Sequence, residues 1–219
     1  MPRKRSLAFR KVQAQKVQAG LEKRYPQPAT HLQHETPWQL LVATVLSAQC
    51  TDARVNMVTP KLFAKWKDLF ALAKADVKDV EEVIKSTGFY HNKAKNIVAG
   101  AKYLVENHNG EVPQTMEELI KVAGVARKTA NVVLCTAFGI NEGIAVDTHV
   151  KRIAHRLGLT NSQDPVQVER DLMEVFPQPE WGNVNHRLVW FGRHICDARK
   201  PLCEECEFNT ICPKQEPSK

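Results

Sequence analysis

No stretch of this chain approaches the about 20 apolar residues that a membrane span needs. The longest uncharged run, residues Thr36 to Thr51, is shorter and is broken by Pro37, Gln39 and Gln49. A membrane-embedded class is therefore excluded. The first residues carry no apolar signal-peptide core and little serine, so neither a secretory nor an organelle-import signal is read there, and a cytoplasmic location is expected. No segment alternates apolar and polar residues as a half-buried strand would, which argues against a sheet protein. Acidic residues are scarce at the start: residues 1 to 24 hold eight Lys or Arg against Glu22 alone, and this accounts for the whole formal net charge of +7. The remainder is neutral. Such a basic run is expected to be a solvated tail rather than a specific site.

What is present is helical periodicity. The chain has 219 residues and 43% hydrophobic composition, enough for a sizeable core in one domain or two small ones. Val12, Val17 and Leu21 suggest a first helix, closed off by Tyr25-Pro26-Gln27-Pro28, which must pack against something later in the chain. Trp38, Leu41, Val42, Val45 and Leu46 share a helical face, and Thr51 can cap a next helix carrying Val55, Val58, Leu62 and Phe63. Asp76 opens a further helix, for which Gly88 is the expected left-handed terminator; another runs from Ala94 to Val105 and stops at Asn109-Gly110. Past the centre, Asp147, Asp164-Pro165 and the spacing of Val184, Leu188, Phe191 and Ile195 mark three more helices. The fold class is all-α.

The most informative stretch is Val122 to Asn131. Thr115 and Glu118 upstream read as a capping box, so a short helix enters the turn. Downstream, Ala130, Val133, Leu134 and Ala137 continue at helical spacing. The turn therefore presents backbone NH groups at the positive end of a new helix, an arrangement that attracts phosphate. Lys128 stands just past it. Taken alone, a lysine at a helix start is usually a solvated charge.

Four of the six cysteines, Cys196, Cys203, Cys206 and Cys212, crowd near the C-terminal end, whereas Cys50 and Cys135 lie alone in helical segments and read as small buried apolar groups. Without a secretory signal a disulfide framework is a poor reading, and metal is the better one. Four thiolates at this spacing suit tetrahedral zinc or an iron-sulfur cluster, and spacing leaves both open.

Three blocks, the turn with Arg127-Lys128-Thr129-Ala130-Asn131, the segment Ala145-Val146-Asp147-Thr148-His149 and the four-cysteine loop, occur here in one order. With Leu46-Ser47-Ala48-Gln49 and Gly88-Phe89-Tyr90, this pattern resembles the endonuclease III family of helix-hairpin-helix DNA glycosylases over about residues 30 to 212. The resemblance implies two helical domains with a DNA cleft between them. One is a six-helix domain with the hairpin over residues 30–141. The other is a cluster domain built from residues 1–29, the basic tail and first helix, together with residues 142–219. It implies a 4Fe-4S cluster on the four cysteines in place of zinc, and a bifunctional glycosylase and AP lyase of base excision repair acting on oxidised pyrimidines. The implied partner is double-stranded DNA with damaged bases or abasic sites, bound by a monomer associated with the nucleoid and with no membrane.

Residue by residue, the resemblance makes Lys128 the Schiff-base nucleophile, with the helix's positive end and Arg127 disfavouring an ammonium ion there. Asp147 would stabilise charge on the sugar and assist proton transfer, besides capping a helix. Gln49 and Phe89 would fill the gap left by a flipped nucleotide, Phe89 standing where relatives carry leucine. Gly124, Val125, Ala126, Arg127 and His149 would contact DNA. Arg199 and Lys200 would do so from the cysteine loop, with Asp197, Glu204, Glu205 and Glu207 around them weakening phosphate attraction. The family's usual hairpin of leucine, proline, glycine, valine, glycine reads Val122, Ala123, Gly124, Val125, Ala126 here. If position 126 needs a positive φ, alanine would be strained by about 1 kcal/mol and DNA binding weakened. Competing readings are a monofunctional glycosylase for another lesion, a catalytically weak paralogue that binds DNA or damage, and a zinc-bound structural domain.

Overall fold

The structure, a computed structural model, describes residues 4–213; Arg3 of the basic run and the last six residues lie outside. Among the described residues there are eleven α-helices and no strand, and no helix is long and apolar enough to cross a membrane. The chain divides into two compact units, residues 30–140 and a second assembled from residues 1–29 with 141–219.

The unit of residues 30–140 is built around α2 (Pro37–Leu46), which opens on a Thr36 cap and a proline in its first turn. Every residue from Leu40 to Leu46 is buried, because α3 (Asp52–Lys65), α6 (Tyr90–His108) and α8 (Arg127–Phe138) all pack on α2. Leu40, Leu46, Leu62, Leu104 and Leu134 are shielded from solvent, each contributing about 1.5–3 kcal/mol relative to exposure. Thr51 caps α3 by accepting the Arg54 NH, and Asp76 caps α5 (Val77–Ile84) by accepting that of Lys78. A five-residue helix, α4 (Leu69–Ala73), was not anticipated. It is too short for periodicity to show, and its signal is Asp68, whose carboxylate accepts the Ala71 NH. The single-turn α7 (Met116–Leu119) has only half the expected capping box. Thr115 accepts the Glu118 NH, but the Glu118 carboxylate is engaged by Lys121 at 2.7 Å and by Tyr103 at 3.3 Å.

In the other unit, α1 (Leu7–Arg24) packs on α10 (Pro165–Val175) and α11 (Trp181–His194), which is where the first helix finds its partners. Its buried face is Arg10, Gln13, Ala14, Val17 and Leu21, whereas Val12 is 53% exposed. The basic run is thus not simply a solvated tail. Arg10 meets Asp171 at 3.2 Å and Glu174 at 3.1 Å, and Arg24 meets Glu207 at 2.7 Å. Gln13 donates to the carbonyls of Leu157 and Ile211. Gly20 faces the buried Phe208 ring so closely that a Cβ would collide with it.

Candidate active site

The hairpin turn between α7 and α8 is closed by backbone bonds from Val122 to Leu119 and from Val125 to Val122. Gly124 has φ +79°, and a Cβ there would stand 2.9 Å from the Asn96 side chain, so both conformation and space demand glycine. Ala126 differs from the sequence expectation. Its φ is −95° and its ψ 169°, ordinary extended backbone, so no left-handed strain falls on it; the position needing glycine has kept it at 124. Ala126 is the N-cap of α8 and brings no side-chain oxygen to the helix's first NH groups. Arg127 and Lys128 are exposed on that first turn, anchored by the buried Ala130, Val133 and Leu134 behind them. Val125 is itself buried, so what it can offer a ligand is backbone.

Gln49 and Phe89 lie in the same unit, each just past a helical end. Both adopt the left-handed conformation, with φ 52° and 48°, and both are exposed, Phe89 by 65%. This corrects the expected terminator. Gly88 has positive φ but extended ψ (154°), after a 3-10 turn at Lys85–Thr87, and it is Phe89 that takes the left-handed turn into α6. An aromatic side chain held out to solvent on a costly backbone is not a core residue.

In the unit containing the chain ends, Asp147 caps α9 (Thr148–Arg156), its Oδ1 accepting the Val150 NH at 2.8 Å. His149 is half-buried rather than a plain surface histidine. Arg152 approaches its Nδ1 at 3.2 Å, and Gly192 leaves room for the ring. Burial lowers the imidazole's pKa, Arg152 and Arg193 add to that, and Asp147 opposes it, favouring the neutral ring.

Two arginines missed at the sequence level organise the cysteine loop. Arg152 donates to the Gly192 and Cys196 carbonyls at 2.8 and 3.1 Å, and Arg156 to those of Asp197 and Ala198 at 2.6 and 2.8 Å. Their signal was present: two arginines four apart, on a helix whose remaining face is Val150, Ile153, Ala154 and Leu157. Beyond the arginine ties, the Asp197 carboxylate accepts the backbone NH groups of Arg199 and Lys200 and leaves both side chains exposed. Glu207, expected to crowd these cations, is committed to Arg24 instead.

None of the six cysteines forms a disulfide; Cys50 is half-buried against the core of the hairpin unit and Cys135 is half-buried on α8, neither fully enclosed. Cys196, Cys206 and Cys212 are half-buried against one apolar cluster, and Cys203 is exposed on a 3-10 turn. Burial pushes the Cys206 thiol up to about 11, with Glu207, Cys196 and Cys212 adding to the shift. Cys196 and Cys212 thus lie within electrostatic reach of Cys206, and four soft sulfur donors on one short segment suit a thiolate-bound metal group. Among the described residues, no three His, Cys, Asp or Glu side chains form a ready shell for a metal ion.

Among the described residues the fold is all-helical, and its hairpin sets a lysine on a helix start without a side-chain cap beyond a glycine turn, an arrangement suited to an anion. Residues 42–178 match the model of the HhH-GPD superfamily base excision DNA repair protein. Endonuclease III of Synechocystis sp. is 54% identical over 214 residues, 98% of each chain. Among solved structures, a non-covalent endonuclease III–DNA complex aligns with TM-score 0.89 at 42% identity, covering 93% of this chain and 95% of that one. A trapped endonuclease III–DNA covalent intermediate aligns with TM-score 0.86, also at 42% identity, covering 92% and 96%. The chain belongs to the endonuclease III family of the HhH-GPD superfamily.

Proposed function

We propose that this chain is a bifunctional DNA glycosylase and AP lyase that removes oxidised pyrimidines from duplex DNA. The observation that carries the reading is Lys128, an exposed amine on the first turn of a helix whose N-cap, Ala126, supplies no oxygen. That first turn receives a DNA phosphate through backbone NH groups, with Gly124 and Arg127 beside it. The damaged nucleotide leaves the stack, at a cost of a few kcal/mol, and Gln49 and Phe89 fill the space it vacates.

The neutral Lys128 amine attacks C1′ of the sugar. The N-glycosidic bond breaks with its electron pair going to the base, which takes up a proton. Opening of the sugar ring and loss of the nitrogen's protons give an imine to C1′. Removal of a C2′ proton then expels the 3′ phosphate and cuts the strand. Asp147 stabilises positive charge on the sugar and moves protons, while one of its oxygens holds the α9 cap. His149, Arg199 and Lys200 support the DNA backbone. Cys196, Cys203, Cys206 and Cys212 hold a 4Fe-4S cluster, which fixes the loop bearing the two cations. Residues 30–141 serve as the hairpin domain and residues 1–29 with 142–219 as the cluster domain. The protein works as a monomer in the cytoplasm, on the nucleoid.

Single-turnover base release from a thymine-glycol duplex tests the reading. Lys128→Gln should slow it by roughly 10²-fold or more. A wild type no faster than the variant would make the protein a DNA binder. The purified protein should be yellow-brown and contain iron; zinc in a colourless protein would overturn the cluster.

A further inference from the structure

Among the described residues, Lys93 is the one lysine that is buried. A lysine amine out of water is costly unless hydrogen bonds replace its hydration. Here its Nζ donates to the Leu46 and Thr87 carbonyls, both at 2.8 Å, and its backbone NH donates to the Phe89 carbonyl at 3.1 Å. Leu46 ends α2 three residues before Gln49, and Thr87 ends the 3-10 turn two residues before Phe89. One side chain therefore satisfies a terminal carbonyl at each of two helical ends, and a strained, exposed residue follows each. Burial lowers the pKa of this amine and the nearby Cys50 thiol opposes the shift, but charged or neutral it retains at least two N–H donors.

We propose that Lys93 is a positioning residue: its amine locks the turns bearing Gln49 and Phe89 to each other, so that the two side chains enter the duplex as a single wedge. The inference rests on the gap-filling reading of those two residues. The other bonds at the two turns are local: backbone bonds run from Ala48 to Val45 and from Cys50 to Ser47 around Gln49, and Phe89 is tied to Lys93 within its own helix start. Ser47 and Thr87 hydroxyls bond back within their own segments, to the Thr44 and Ile84 carbonyls, and neither crosses to the other turn.

The test combines single-turnover base release with the fluorescence of 2-aminopurine placed opposite thymine glycol, which reports unstacking. Lys93→Met, similar in length but without donors, should slow base release about tenfold and reduce the fluorescence rise. In a Gln49→Ala/Phe89→Ala background the same substitution should add less than about twofold, because the wedge it positions is gone. Equal losses in both backgrounds, or no loss in the wild-type background, would overturn the inference and make Lys93 a purely structural tie. If Gln49→Ala/Phe89→Ala leaves the fluorescence rise intact, the gap-filling reading falls first and the inference with it. Should Lys93→Met fail to fold, Lys93→Gln, whose shorter amide can serve only one carbonyl, should show a smaller loss with the same non-additivity; additive losses would overturn the inference.

Discussion

The two units bury different things. The unit of residues 30–140 encloses a leucine-rich core, with Lys93 as its one buried basic residue and three threonines and Asn131 as its other buried polar groups. The unit of the chain ends buries Arg10, Arg156, Arg187, Glu169 and Asp171. Its ties are long in sequence: Gln13 to Ile211, Arg24 to Glu207 and Arg187 to the Tyr25 carbonyl. A unit made from two distant stretches of chain closes a long loop, and directional polar ties fix how the two stretches meet where apolar packing alone is permissive. The hairpin unit, continuous in sequence, leaves its polar chemistry at exposed turns. The difference teaches where substitutions will register as stability and where as function.

The largest effect on that contrast should come from Arg156→Met. It strips the donors from the Asp197 and Ala198 carbonyls and from the start of the cysteine loop, and about 3 kcal/mol of stability should be lost. Hydrogen exchange should place the loss in the chain-end unit, with protection on α2 and α8 unchanged; loss spread evenly over both units would break the comparison.

Asp147 separates stability from function within one residue. Asp147→Ala removes the α9 cap and should cost about 1 kcal/mol in urea unfolding. Asp147→Asn keeps a capping oxygen and should unfold like wild type, yet still lose base release. A fully active Asp147→Asn would leave this residue only its cap.

A smaller effect is expected at the hairpin. Because Ala126 is extended, Ala126→Gly relieves no strain, and both stability and DNA affinity should shift by only about 0.5 kcal/mol or less. Titration and fluorescence anisotropy measure the two, and a tenfold gain in affinity would restore the strain argument.

The smallest effect is in pH. His149 and His155, both in the chain-end unit, have pKa values lowered from 6.5 chiefly by burial. The unfolded chain then binds protons more readily than the folded one. Stability should be fully present above about pH 6.5 and should decline as pH falls from there through the folded values. Unfolding midpoints followed downward from pH 7 should show the decline, and His149→Gln/His155→Gln should flatten it.

Helices, caps and cysteines were legible in the sequence because each is a local signal: Thr51, Asp76, Asp147 and Asp164 all cap where spacing placed them. What escaped depends on partners distant in the chain. Val12 marks the first helix together with Val17 and Leu21 but is exposed, whereas Arg10, paired with Asp171 and Glu174, lies on the face that packs. Arg156 and Lys93 reach carbonyls 41 and 47 residues away, partners that the tertiary fold supplies and local spacing does not identify. The positive φ expected at Ala126 falls on Gly124, which adopts it without strain, and the strained left-handed residues of the site are Gln49 and Phe89. The resemblance to a family named the residues of the candidate site; the structure adds how Asp147, Gln49 and Phe89 are held.

The central claim is that Lys128 forms a covalent imine with the sugar. Borohydride reduction during reaction with a thymine-glycol duplex tests it most directly. The account predicts a trapped protein–DNA complex with wild type and none with Lys128→Gln. Base release by wild type with no trapped complex, or equal trapping by the variant, would contradict it.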